Sequence, residues 1–368
     1  MNMVSASKDI YVFGAHSRAR TFSEYWKKLH PDCKLLGFLY DNDEVNPESI
    51  DGVPVINLKN ALPENLNLTA AVYLGIKGVG VSNATDSLRR IGFAVIIPVD
   101  VELDMKLRND YLKYYFSENE KSFNKIDDYT CKIDFIRKNK KNSHIYVVSS
   151  AFDSKLEEKH LFLPFEKAIQ VGTALSDMRV EDAVYDNEGV NISEKNTQFC
   201  ELTALYWIWK NSTDEYIGIE HYRRFFIIKD NIFDIMSQNG IDAVLPVPLC
   251  VFPSLKENYL FRHENKPWND MMKVIQKLYP DEYEAAVNFF NMPLYSPCNM
   301  IISRKEVFDT LCEWMFPIIF EVNKNNGIFE DRYQNRYPGF LSERLISFFF
   351  EYHIKEYNVV YADKNFLK

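Results

Sequence analysis

The chain has 368 residues, of which 46% are hydrophobic and 26% charged, and its formal net charge is −9 at pH 7. The length predicts two domains, and the apolar content excludes a disordered chain. The acidic balance argues against a general nucleic-acid binder, which needs a basic surplus.

In chain order, the run Ile10–Phe13 ends in Gly14 and leads into a helical stretch, FGAHSRARTFSEYWKKLH. Further apolar runs lie at Leu35–Asp41, Ala70–Ile76 and Phe93–Val99, with helical segments such as SNATDSLRRIG between them. Strands alternating with helices imply a parallel, Rossmann-like sheet over residues 1–115. A dinucleotide fingerprint needs glycines at the first turn, but His16 and Ala19 stand where the later ones belong. This half therefore reads as an accessory or docking domain. Residues 116–142 are polar and read as a helical linker, with a basic group at Arg137, Lys138, Lys140 and Lys141. Such a group is ordinarily a solvated face, and contact with an anionic membrane surface is the sharper alternative.

A second α/β pattern fills 143–368. It opens with the strand IYVVSS and a loop-rich segment, followed by NTQFCELTALYWIWKN, an aromatic helix for which Asn196 reads as the N-cap. The strand YIGI runs straight into EHYRRFF; a helix then stops at Gly240, as a helix C-terminus does. The strand IDAVLPVP follows, then helices over 268–278 and 281–290, the strand NMIIS, the helix KEVFDTLCEWMF and a last helix, GFLSERLISFFFEYHI. The six cysteines form no CxxC pair, so reduced thiols in a cytoplasmic protein are expected. MNMVSASKDIYVFG lacks the pattern of a signal peptide, and runs such as Leu345–Phe350 are too short to span a bilayer. The 27 Phe, 22 Tyr and 5 Trp read first as core and second as rings that stack on sugars.

The densest polar signal is Glu220-His221-Tyr222-Arg223-Arg224, directly after a buried strand. Ligands of open α/β sheets bind beyond the carboxyl ends of strands, and arginine pairs bind phosphate bidentately. An ion-pair cluster joining two layers is the bland alternative. His221 is open to three roles: phosphate contact, metal ligand or base. Glu201, beside Tyr206 and Trp209, needs a buried partner, for which Arg223 is a candidate.

Five separated blocks run in order: AIQVGTALSD with the NIS-x-x-N segment, ELTALYWIWKN, YIGIEHYRRFF, NMII and GFLSERL. Over roughly 144–360 the chain resembles a capsular-polysaccharide glycosyltransferase family long filed as a domain of unknown function. The resemblance implies a GT-A-like α/β domain that moves a sugar from a nucleotide donor, UDP-linked, to a glycan or lipid-linked glycan acceptor. It implies work in capsule, O-antigen or exopolysaccharide assembly, with galactofuranose among the sugars moved. A departing nucleoside diphosphate needs positive charge, from a metal or from guanidinium groups, and an inverting transfer needs a base. Arg223 and Arg224 are the candidates for the diphosphate, with Val171, Gly172, Asn191, Ser193 and Asn196 around the nucleotide sugar. Glu343 is the first candidate base, with His221 and Asp331 in reserve; Asn299, His263 and Arg344 are assigned to the acceptor. The Asp-x-Asp metal loop of GT-A enzymes is replaced by Glu220-His221, which leaves Glu220 as a candidate ligand for Mn or Mg and metal independence as the alternative. A sugar-phosphate transferase and a non-catalytic carbohydrate-binding protein are the competing readings. The acceptor's location implies work at the inner face of a membrane.

Overall fold

The computed structural model describes residues 9–59, 66–76, 78, 80–132, 142–158 and 160–367. The chain divides into two compact units, Met1–Ser122 and Phe123–Lys368. The basic group at 137–141 lies outside the described residues.

The first unit contains β1 (Ile10–Phe13), α1 (Ser17–Leu29), β2 (Leu35–Tyr40), β3 (Ser49–Ile50), β4 (Val53–Asn57), β5 (Ala71–Leu74), α2 (Gly80–Ile91), β6 (Ile96–Pro98) and α3 (Val101–Glu118). Its sheet order is β3-β4-β2-β1-β5-β6. Every pairing is parallel except the β3–β4 hairpin. The chain thus winds outward from β1 in both directions, a Rossmann-like arrangement. The hairpin has no counterpart in the sequence reading. Asp51 and Gly52, with φ of 51° and 75°, form its turn, and an Asp-Gly pair is the signal that marks it. Asp100 caps α3 by accepting from the Leu103 amide at 2.8 Å, and the helix continues to Glu118, into the segment read as linker.

The second unit contains β7 (Ser143–Ser149), β8 (Glu166–Gln170), β9 (Val184–Tyr185), α4 (Asn196–Phe199), α5 (Leu202–Asn211), β10 (Tyr216–His221), α6 (Ile232–Gln238), β11 (Ala243–Pro246), β12 (Leu249–Cys250), α7 (Leu255–Arg262), α8 (Asn265–Leu278), α9 (Tyr283–Phe290), β13 (Leu294–Tyr295), β14 (Ile301–Arg304), α10 (Lys305–Asn326), α11 (Tyr337–Tyr352) and β15 (Val359–Ala362). Seven strands form one sheet in the order β15-β11-β14-β10-β7-β8-β9. β14 runs antiparallel to both its neighbours, and the other pairings are parallel.

Side chains alternate between the faces of a strand, and here the two faces feed two cores. Ile217 and Ile219 join the larger core with α5, α8, α10 and α11. Tyr216 joins the smaller one with Ile145, Ile302 and α6. By the same alternation, His221 leaves β10 on the side of the larger core and Glu220 on the side of the smaller. The aromatic segment is not one helix. Cys200, at φ 48°, ends α4 before α5 starts. Asn196 is the first residue of α4 rather than its cap; its Nδ2 donates to the Cys200 carbonyl at 2.8 Å. Among the described residues no helix is long and apolar enough to cross a membrane.

Gly218 pairs with Ile145 across β7 and β10. A Cβ there would come within 2.6 Å of Ile145 Cγ1 in the core. Gly218→Ala is therefore expected to lower stability by about 1–3 kcal/mol, read by urea unfolding. Unchanged stability would mean that the two strands can part without loss.

Candidate active site

The loops and helices at the carboxyl ends of β7 and β10 enclose a cavity of about 610 Å³, within the roughly 300–1,000 Å³ of small-molecule sites. Cys298, in the lining, belongs to the turn Cys298–Asn299, both residues left-handed, with φ of 80° and 51°. Neither residue is glycine, so the backbone is strained, and its polar groups are held on every side. The Glu343 carboxylate accepts from the Cys298 amide at 2.6 Å. His221 Nε2 lies 2.6 Å from the Cys298 carbonyl and donates to it. Asn299 Nδ2 donates to Glu201 at 2.7 Å and to the Gly339 carbonyl at 3.1 Å, while its Oδ1 accepts from Ser342 at 2.8 Å. Glu201 thus serves Asn299, not Arg223.

This clamp fixes the chemistry of both candidate bases. Burial pushes the His221 pKa down, with Glu201 opposing and Arg224 reinforcing the shift. A neutral imidazole whose Nε2 carries the proton leaves Nδ1 as an acceptor and gives no cationic phosphate contact. Burial pushes Glu343 up against the opposing charge of Arg344. Its Oε2 lies 3.6 Å from Arg344. A carboxylate with a raised pKa, whose Oε2 faces only the Arg344 guanidinium, suits a general base.

Arg223 and Arg224 line the cavity on the loop after β10. Arg223 lies 5.4 Å from the Tyr222 ring centre, and both stack toward Phe366, at 5.2 and 5.4 Å. Arg223 Nε is buried without a hydrogen-bond partner, and neither residue has an ion-pair partner among the described residues. The lining also includes His263, stacked at 4.2 Å on Phe340 and 5.5 Å from Tyr333. Beside it Arg344 is 97% buried between Tyr259 and Tyr295, at 5.2 and 4.9 Å.

The cavity therefore brings together Val171, Asn196, His221, Arg223, Arg224, His263, Glu343 and Arg344. Other expected site residues have other work. Gly172 (φ 70°) and Ser193 serve the fully buried Asp186, which accepts from the Gly172 amide at 3.0 Å and from Ser193 Oγ at 2.6 Å. Asn191 closes its own loop by donating to the Asn187 and Gly189 carbonyls. Asp331 is exposed and accepts from the Gln334 amide at 2.8 Å, outside the cavity. Asn299 is buried and does not line the cavity, so it is not an acceptor contact there; it holds the turn through Glu201, Gly339 and Ser342. Arg262, Tyr295, Cys298, Tyr333 and Arg336 also line the wall. Arg262 adjoins His263 in sequence, and Arg336 lies three residues before the GFLSERL block, so proximity to these motifs was the available signal.

Glu220 is not available to a metal shared with His221. It is fully buried on the other face of β10, where its Oε1 accepts from the Phe226 amide at 2.6 Å. Burial raises its pKa well above the ordinary value, and the neighbouring Glu166 carboxyl adds to the rise. Oε2 has no hydrogen-bond partner. Among the described residues no three His, Cys, Asp or Glu side chains converge on a metal-sized site.

Residues 144–355, more than half of the chain, match the domain of unknown function DUF4422. The chain belongs to this family. No curated protein matches it. Among solved structures, the apo form of the WbbM bifunctional glycosyltransferase is similar at 25% identity and a TM-score of 0.53, over 62% of this chain and 45% of that one. This chain thus spans less than half the length of that protein. Core-mannan synthase A from Aspergillus fumigatus, in a Mn/GDP form, also matches, with 10% identity and a TM-score of 0.29 over 66% of this chain and 79% of that one; a likeness that low carries no argument. The second unit is a GT-A-like α/β domain.

Glu220→Gln tests the buried carboxyl. A folded-state pKa raised above the unfolded value means that the unfolded chain ionises first, so the native carboxyl loses stability as pH rises above the ordinary glutamate range. Glu220→Gln removes that loss. Relative to the parent, the variant is expected to gain stability between pH 4 and pH 8 in urea unfolding. A gain confined to acid pH would contradict the raised pKa of Glu220.

Proposed function

We propose that the chain is a glycosyltransferase that moves a sugar from a UDP-linked donor to a hydroxyl of a glycan acceptor. The observation that carries this reading is the pair Arg223 and Arg224, without an ion-pair partner among the described residues, at the carboxyl end of β10. Membership of the DUF4422 family and the likeness to a bifunctional glycosyltransferase support it.

In the transfer, the bond between the sugar's anomeric carbon and the diphosphate oxygen breaks, and the diphosphate leaves with the electron pair. Arg223 and Arg224 stabilise that charge, in a site where a low dielectric strengthens each contact. The acceptor hydroxyl attacks the anomeric carbon. For an inverting transfer, Glu343 Oε2 takes the hydroxyl proton. His221 holds the turn that places Glu343. Val171 and Asn196 border the donor end, and His263, Phe340 and Tyr333 offer the acceptor a stacking wall. Because Glu220 and His221 point to opposite faces, they do not fit a shared Mn or Mg ion, and charge compensation falls to the arginines. We place the reaction in capsule, O-antigen or exopolysaccharide assembly, with galactofuranose a fitting sugar, at the cytoplasmic face of the membrane, and assign the first unit a docking role.

UDP is expected to raise the melting temperature, because a ligand that binds only the folded state stabilises it. Arg223→Ala with Arg224→Ala should abolish that shift and transfer while leaving the ligand-free melt intact; a shift that survives both changes removes the pair from the diphosphate role. EDTA should leave the UDP shift unchanged, and loss with EDTA restored by Mn would contradict the arginine account. Glu343→Gln should lower turnover by about 10²–10⁴-fold with UDP binding retained. In the parent, turnover should rise with pH through a value above the ordinary glutamate range, and a flat profile would place the base elsewhere.

A further inference from the structure

The cavity has a second cationic end, which the donor reading does not use. Arg262 and Arg344 come from α7 and α11, and both lower the pKa of His263, to about 4, after the larger effect of its burial. His263 is therefore neutral, and the cations here are Arg262 and Arg344, the latter 3.6 Å from Glu343. Arg344 Nη1 donates to the Phe340 carbonyl at 2.7 Å, and Nη2 lies 3.5 Å from Asn258, which fixes the group in place. Its Nε and His263 Nδ1 are buried with no hydrogen-bond partner. Buried polar atoms without partners are rare and call for a missing one. Arg262 is exposed, lines the cavity and has no ion-pair partner among the described residues.

These groups adjoin the stacked rings of His263, Phe340 and Tyr333, the last 51% exposed. Glu343 lies in the fields of both cationic ends, since Arg344 and Arg224 each lower its pKa. A base between donor and acceptor has one on either side. With the diphosphate at Arg223 and Arg224, the Arg344 side is the acceptor's.

We propose that this end is an anion subsite, and that the acceptor carries a phosphate or carboxylate beside the sugar ring that stacks on Tyr333 and Phe340. The aromatic rings take the apolar face of the sugar, and the guanidiniums take the anion in charge-assisted hydrogen bonds. The proposal rests on the transferase reading for the location of the donor.

The test is equilibrium binding to the full chain, with UDP saturating, of galactose 1-phosphate, galacturonate and methyl galactoside. At least one anionic sugar is expected to bind about tenfold tighter than the neutral glycoside, a difference typical of one charge-assisted contact. Whichever anion gains identifies the group as phosphate or carboxylate. Arg262→Ala, an exposed position where the fold should tolerate change, should erase that preference and leave UDP affinity unchanged. Tyr333→Ala should weaken all three sugars alike. Equal affinity for charged and neutral sugars, or displacement of UDP by galactose 1-phosphate, would overturn the subsite. Failure of UDP to bind while the anionic sugar still does would instead sink the donor assignment and leave the subsite standing.

Discussion

The site depends on a strained turn. Cys298 and Asn299 both occupy the left-handed region, which costs about 1–3 kcal/mol for each such residue. The turn persists because side chains from three other elements satisfy its polar groups: His221 at the end of β10, Glu343 in α11 and Glu201 before α5. The same contacts hold those side chains in place. His221 and Glu343 grip the two ends of one residue's backbone, so the sheet edge and the last helix meet at a fixed separation, and the cavity opens above them. Preorganisation of this kind lets a base and a charged wall act without rearrangement during reaction.

Charge is the second organising feature. Five arginines and three carboxylates line the cavity: Arg223, Arg224, Arg262, Arg336 and Arg344 against Asp153, Glu201 and Glu343. Burial raises the pKa of both Asp153 and Glu343. Arg336 donates to the Cys200 thiol at 3.1 Å. A chain with a net charge of −9 therefore concentrates positive charge in one concave place, which is the electrostatic requirement for an anionic substrate. Glu220, one residue from His221, shows how sharply strand geometry divides roles. The two side chains face opposite cores, and a carboxyl that looks like a ligand in the sequence is a buried group whose pKa burial raises.

The alternation of strands and helices in the first unit was legible from apolar runs, because a parallel sheet buries its strands on both faces. The β3–β4 hairpin escaped, since SIDGVPVIN is short and its Asp-Gly signal is local. In the second unit the strands at Ile145, Tyr216, Ala243 and Ile301 and the last two helices were readable from periodicity. The break at Cys200 was not, because nothing in NTQFCELTALYWIWKN marks a left-handed residue. At the site, the arginine pair and Glu343 stood out as charges next to buried elements. Gly172 and Ser193 did not announce their role around Asp186, for a buried carboxylate hub is a matter of tertiary contact. Arg262, Tyr295 and Tyr333 were missed for the same reason: they meet only when α7, β13 and the segment before α11 come together.

A crystal structure of the chain with UDP bound tests the account most directly. The diphosphate should lie against the guanidinium groups of Arg223 and Arg224, above the Cys298–Asn299 turn, with the uridine toward Val171 and Asn196. A nucleotide seated at the turn after β1, or anywhere that leaves both arginines without contact, would contradict it.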